Sequence, residues 1–215
     1  ITFALVMAVF TTCMVGLVLA DDLILLFICW ELTSVTSFLL IARSGRAGEF
    51  ASMRTLLVTF VGGLALLVAI ALIIARVGTT SVSEALTSPV WHTEAGTTTA
   101  VATLVAIAGF SKAAQFPLHV WLPDAMAAPT PVSAYLHAAA VVKVGIFLLL
   151  RFSPAFNETF AWHLMLLSAG FVTAVIGARF ALGQTDLKGL MAYSTVSQLG
   201  LIVATIVVGT PVSMN

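Results

Sequence analysis

The stretch Gly109-Phe110-Ser111-Lys112-Ala113-Ala114-Gln115-Phe116-Pro117-Leu118-His119 puts an ammonium group inside an apolar run, five residues before a proline. An ammonium at the centre of a membrane helix costs roughly 2.5 to 3.5 kcal/mol on insertion scales, so a chain that keeps one there is expected to use its charge. The composition around it makes hydrocarbon the natural solvent. Hydrophobic residues are 60% of the 215 and charged residues 8%, against about 25% charged in soluble domains. The chain therefore reads as all-α and polytopic, with the lipid bilayer as its surroundings. Its formal net charge of zero and lack of any run of five like charges argue against nucleic acid as a partner.

Windows of about 20 apolar residues give about seven transmembrane helices, near residues 1–20, 23–42, 54–77, 99–122, 132–151, 160–182 and 187–209. Asp21-Asp22, residues 43–54, the Thr- and Ser-rich loop 79–98, Pro129-Thr130-Pro131, Ser153-Pro154 and residues 183–186 punctuate them. Arg43, Arg46, Arg54, Arg179 and Lys188 fall on one side, Arg76 and Arg151 on the other, which puts the start of the first span inside the cell. Lys112 and Lys143 belong to neither side. Cys13 and Cys29 lie in separate apolar segments without metal-ligand spacing and read as small hydrophobes. The chain opens Ile1-Thr2-Phe3 inside an apolar stretch and is expected to be part of a longer protein.

The fourth span is the odd one. Its uninterrupted part is expected over residues 99–116, and Pro117 removes the donor that would have served the carbonyl of Ala113. A broken helix at membrane depth is tolerated only where protein or a water-filled cavity satisfies the freed groups, and such breaks mark transport sites.

Glu31 is nine residues into a span of about twenty, near the midplane and out of reach of either interface. Alone, a neutral Glu31 bonded to a neighbouring helix would be structural glue; two equally deep lysines favour use of charge. Burial favours the neutral form of an ionisable group and a close opposite charge restores the charged forms, so a Glu31–Lys112 pair would act as a switch. Lys143, twelve residues into the fifth span, is the expected acceptor; the bland alternative is a lysine packed against a polar neighbour. His137 lies six residues before Lys143, on another helix face, and His119 seven residues after Lys112, beyond Pro117. Either histidine could equally be a bonded structural residue. Trp91, Trp121 and Trp162 are expected at span ends as interfacial anchors and Trp30 as a shield for Glu31; Asp124 and Asp186 read as helix caps. No phosphate-cradling loop, metal-binding pair or nucleophilic triad occurs, so no cofactor, metal or covalent catalysis is expected.

Trp30-Glu31-Leu32-Thr33-Ser34, Phe110-Ser111-Lys112 through Asp124-Ala125-Met126, Pro129-Thr130-Pro131-Val132-Ser133, Tyr135-Leu136-His137 and Leu190-Met191-Ala192-Tyr193-Ser194 through Gln198-Leu199-Gly200 together resemble the proton-translocating antiporter-like subunits. These are shared by Mrp-type multisubunit sodium/proton antiporters and by the membrane arm of respiratory complex I. In detail the chain looks most like the Mrp A subunit, through the Leu-Thr-Ser-Val-Thr-Ser-Phe run after Glu31, Val141-Val142 before Lys143, and the exit Leu149-Leu150-Arg151-Phe152-Ser153-Pro154. The resemblance implies two inverted five-helix repeats, here residues 1–151 as the first and 160–215 as the opening two helices of a second, incomplete one. It also implies roles for Glu31 as charge partner, Lys112 as switching lysine, His137 and Lys143 as relay residues and His119 as their neighbour. The partners implied are the other subunits of a multisubunit complex, with protons and Na⁺ as the transported ions. A redox-driven pump subunit of the complex I type is the alternative, and a scaffolding subunit whose polar residues only hold helices together is a third.

Overall fold

The computed structural model describes residues 2–43, 46–128, 130–133 and 141–208. In chain order the helices are α1 (Thr2–Leu19), α2 (Leu23–Ala42), α3 (Arg46–Val77), α4 (Val82–Leu86), α5 (Val90–Thr93), α6 (Ala95–Lys112), α7 (Trp121–Asp124), α8 (Thr130–Ser133), α9 (Val141–Phe156), α10 (Phe160–Leu182) and α11 (Leu187–Val208), with 3₁₀ turns at Leu118–Val120 and Ala125–Ala127. Among the described residues the only β pairing is an isolated bridge between Asp22 and Ser81.

The seven longer helices overlap the seven expected spans, although α9 runs through the expected Ser153-Pro154 boundary to Phe156. By length and composition alone, four helices among the described residues can cross a membrane: α2, α3, α10 and α11. The other three are shorter or more polar for identifiable reasons. The apolar stretch of α1 runs from Phe3 to Leu19, α6 carries Lys112 and four threonines, and α9 has 16 residues described, with 134–140 before it outside the described residues. The third span needs correcting. Helix α3 starts at Arg46 rather than near residue 54 and has 32 residues, about 48 Å at 1.5 Å per residue, so its first turns stand clear of a hydrocarbon layer about 30 Å thick.

The helices pack in sequence, α1 on α2, α2 on α3, α3 on α6 and α6 on α9, while the α10–α11 hairpin lies against α6 and α9. Large apolar side chains such as Leu57, Val61, Phe171 and Val175 are exposed, the surface expected of helices facing lipid.

At one end of the bundle the α1–α2 turn meets the α3–α6 connection. Asp22 caps α2 by accepting from the backbone N–H of Ile24 and Leu25, both at 2.9 Å, and Leu23 N–H donates to the Thr80 carbonyl at 2.7 Å. Asp21 accepts from the Ser83 hydroxyl, from the Ser83 N–H at 3.1 Å, from Ser81 Oγ at 3.1 Å and from Arg151 Nη2 at 3.4 Å. The Ser83 hydroxyl above all holds the Asp21 carboxyl below its ordinary range. At the other end Arg54 pairs with Asp124 at 2.7 Å and Lys188 Nζ donates to the Ala128 carbonyl at 3.3 Å. The up-and-down run of the helices brings Arg43, Arg46, Arg54, Arg179 and Lys188 to this end and Arg76 and Arg151 to the other, the division the sequence predicts. Asp186 accepts from Gly189 N–H at 3.2 Å and caps α11 as expected, whereas Asp124 is engaged by Arg54 and makes no cap bond to the turn that follows it.

Candidate functional site

Helix α6 stops at Lys112, four residues earlier than its sequence suggests. Pro117 does not end it; the turn is made at Ala114, whose φ of 50° is left-handed, a conformation that costs an L-residue about 1–2 kcal/mol. Freed backbone groups on both sides of the turn are taken by protein. Ala113 N–H donates to Gly109 O at 2.8 Å as in a regular turn, and Gln115 N–H to Phe110 O at 3.0 Å, the 6→1 bond that spans a left-handed helix ending. Trp121 Nε1 donates to Ser111 O at 2.8 Å, and Gln115 Nε2 to Ala113 O at 2.9 Å. That last carbonyl is the one Pro117 would have left without a donor in a continued helix. Phe116 N–H donates to Thr173 Oγ1 on α10 at 2.8 Å. The Phe116–Pro117 peptide is cis. Trp121 is thereby buried in the break and is no interfacial anchor.

The Lys112 side chain, completely buried, crosses to the middle of α2. Its Nζ donates to the Trp30 carbonyl at 2.6 Å and to Thr33 Oγ1 at 2.5 Å, and lies 4.2 Å from the centre of the Trp30 ring. Trp30 and Thr33 are seven and ten residues beyond Leu23, about 10 and 15 Å along a helix about 30 Å long, so the ammonium sits near the midplane. The cage is made of dipoles and a π face: a carbonyl, a hydroxyl and a ring that attracts cations. Trp30 thus lies against the lysine rather than shielding the carboxyl.

The direct Glu31–Lys112 pair expected from the sequence is not formed. Glu31 leaves α2 on the side of α3, and its Oε1 is buried without a hydrogen-bond partner. The two groups remain close enough to act on each other electrostatically. Space for Glu31 comes from Gly63, where a Cβ would collide with its Oε1; at Gly62 a Cβ would collide with the Ser111 hydroxyl. The Gly62-Gly63 pair is therefore a notch in α3 that admits one side chain from α2 and one from α6.

His119 is buried in the turn after the break, its ring centre 5.8 Å from that of Phe116, and its Nδ1 is buried without a hydrogen-bond partner. Lys143, the third residue of α9, has an exposed side chain that makes no hydrogen bond or ion pair among the described residues. The packing of α9 explains this. Gly145 is the residue pressed on α6, where a Cβ would come within 2.5 Å of Ala113 N and 2.8 Å of Ala113 Cβ, and two residues along a helix is a turn of about 200°. His137 lies outside the described residues. Among the described residues no cluster of three His, Cys, Asp or Glu side chains is placed to hold a metal ion.

Residues 20–215 match the family model described as NADH:quinone oxidoreductase/Mrp antiporter, TM. The chain belongs to that family. The family match takes in every candidate residue from Glu31 to Lys143. The chain is 44% identical over 209 residues to the Staphylococcus aureus (strain MSSA476) protein named antiporter subunit mnhA2, covering 96% of this chain and 26% of that protein. Among solved structures it resembles a chain of the Mrp complex from Dietzia sp. DQ12-45-1b, at 56% identity and a TM-score of 0.94, over 96% of this chain and 23% of the other. It also resembles a chain of the membrane-bound sulfane sulfur reductase, an archaeal respiratory membrane complex, at 26% identity and a TM-score of 0.88, over 95% and 42%. The chain thus spans about a quarter of the length of the curated relatives it matches.

Sequence reasoning finds Lys112 and Glu31 but not what holds them. Thr33 and the Trp30 carbonyl, Gln115, Thr173 and the Gly62-Gly63 notch emerge only from the packing. A double glycine in the middle of an apolar span is the one signal that could have revealed part of this.

Proposed function

We propose that this chain is part of the A subunit of an Mrp-type multisubunit sodium/proton antiporter in a bacterial plasma membrane, and that it handles the protons. The reading assigns residues 1–151 to a first five-helix repeat and 160–215 to the start of a second. Its partners are the other subunits of the complex, and its ions are H⁺ and Na⁺. The work is transport, with no covalent step.

The observation that carries the reading is Lys112: a fully buried ammonium at a helix break, held by a carbonyl, a hydroxyl and a π face, with the unpartnered Glu31 Oε1 in its field. Such a cage offers the lysine no full negative charge, and the free carboxyl oxygen gives the ammonium or its proton a second place to go. Movement between the two is the switch. From there His119 continues the path, and His137 and the exposed Lys143 hand protons to the part of the protein beyond this chain. The test is sodium-dependent dissipation of a pH gradient in everted vesicles carrying the full complex. Lys112→Ala is expected to abolish it while the complex assembles normally. Retained exchange would refute the relay, and loss of assembly would favour a scaffold.

The likeness to a chain of an archaeal respiratory complex supports a second reading, a pump subunit driven by redox chemistry. Proton movement independent of Na⁺ in the same vesicles would select it.

A further inference from the structure

We propose that Thr173 is a positioning residue that pins the broken end of α6 to the α10–α11 hairpin and so sets where Lys112 rests. Phe116 N–H lies four residues past Lys112, beyond the left-handed Ala114, with no helical carbonyl to use. Thr173 Oγ1 accepts from it at 2.8 Å and itself donates to Ala169 O at 2.6 Å. The hydroxyl is completely buried, so water offers no ready substitute for it.

Thr173 sits on a stiff support. A Cβ at Gly170 would come within 2.7 Å of Ala204 N and Gly200 O, and one at Gly177 within 2.6 Å of Ser197 N. At Gly200 it would meet Ala174 N at 2.6 Å and the Thr173 Cβ itself at 3.0 Å. Ser197 Oγ adds a hydrogen bond across the hairpin to Ala174 O at 2.9 Å. Helices in backbone contact over this length move as one body, and among the described residues this body gives the break a hydrogen bond at Thr173. Any tilt of the hairpin against α6 therefore pulls on Phe116, and through the short turn on Lys112. Thr173 would thus tie the second unit of the fold to the switching lysine of the first.

The effect on transport rests on the proton-relay reading; the pin itself does not. The experiment uses the full complex with Thr173→Val, which keeps the shape and loses the acceptor, and Thr173→Ser, which keeps both hydrogen bonds. Thr173→Val is expected to leave the apparent KM for Na⁺ unchanged and to lower the maximal exchange rate roughly threefold to tenfold, with Thr173→Ser close to the parent. Hydrogen exchange of the peptide containing Phe116 should speed up roughly tenfold in Thr173→Val alone. Parent-like exchange of that amide in Thr173→Val would overturn the pin, as would a Thr173→Ser variant as impaired as Thr173→Val. An altered amide with unchanged transport would overturn its role in positioning Lys112. If Thr173→Val does not assemble, Thr173→Cys, similar in volume and a much weaker acceptor, must show the same pattern. Full transport by Lys112→Ala would sink the relay and leave the amide result standing.

Discussion

Lys112 and Lys143 look alike in the sequence, each a single lysine deep in an apolar span, yet the fold treats them in opposite ways. Lys112 ends a helix whose broken backbone is stitched by Trp121, Gln115 and Thr173, and its side chain is swallowed by α2. Lys143 rides an unbroken stretch of α9 and points away from the bundle, because Gly145 has claimed the inward face. Depth in a span says that a charge is costly; which face it occupies decides whether this chain or another part of the assembly must answer it.

The comparison can be broken most forcefully at Gly145. Gly145→Val would drive a side chain into the backbone of Ala113, where overpacking costs about 1–3 kcal/mol or more, and the complex is expected to fall severely in abundance on native gels. Normal abundance would mean that α9 does not hold its inward face by this contact, and the orientation of Lys143 would lose its explanation.

Next come the lysines themselves, each replaced by Met and followed by thermal unfolding of the purified complex. Lys112→Met removes a buried charge and is expected to leave stability unchanged or raise it by about 1–4 kcal/mol even as transport is lost. Lys143→Met should stay within about 0.5 kcal/mol if its side chain remains exposed in the assembly. A large shift at Lys143 would show that a neighbour beyond this chain buries it, which sharpens the contrast into one between two subsites.

The smallest effect is expected at the far end of α9, where Arg151 ties the helix to Asp21. Asp21→Asn should lower the midpoint of unfolding by less than roughly 2 °C, since exposed ion pairs contribute little. The Asp21 carboxyl is held below its ordinary range, chiefly by the Ser83 hydroxyl, so its stabilisation is complete above the ordinary carboxylate pKa and disappears as pH falls through the lowered value. The difference between parent and variant should therefore be present at neutral pH and vanish in acid.

Much of this was readable in the chain. The seven helices, the split of basic residues between the two ends and the existence of a break in the fourth span follow from apolar length, loop charge and an intramembrane proline. The place of the break did not, because a left-handed Ala114 has none of the glycine signal that usually marks such a turn. The Glu31–Lys112 contact was misjudged for a related reason: sequence gives each group a depth, and depth cannot tell a carboxylate from a main-chain carbonyl as the partner at that level. Thr173 could not be found at all, since a threonine in an apolar helix ordinarily bonds its own preceding turn, as this one also does.

The notch at Gly62-Gly63 constrains how this protein can change over generations. With Glu31 filling one half and Ser111 the other, any lineage that acquires even a methyl group there must trim the facing residue in the same step, so three helices inherit that crossing as a set.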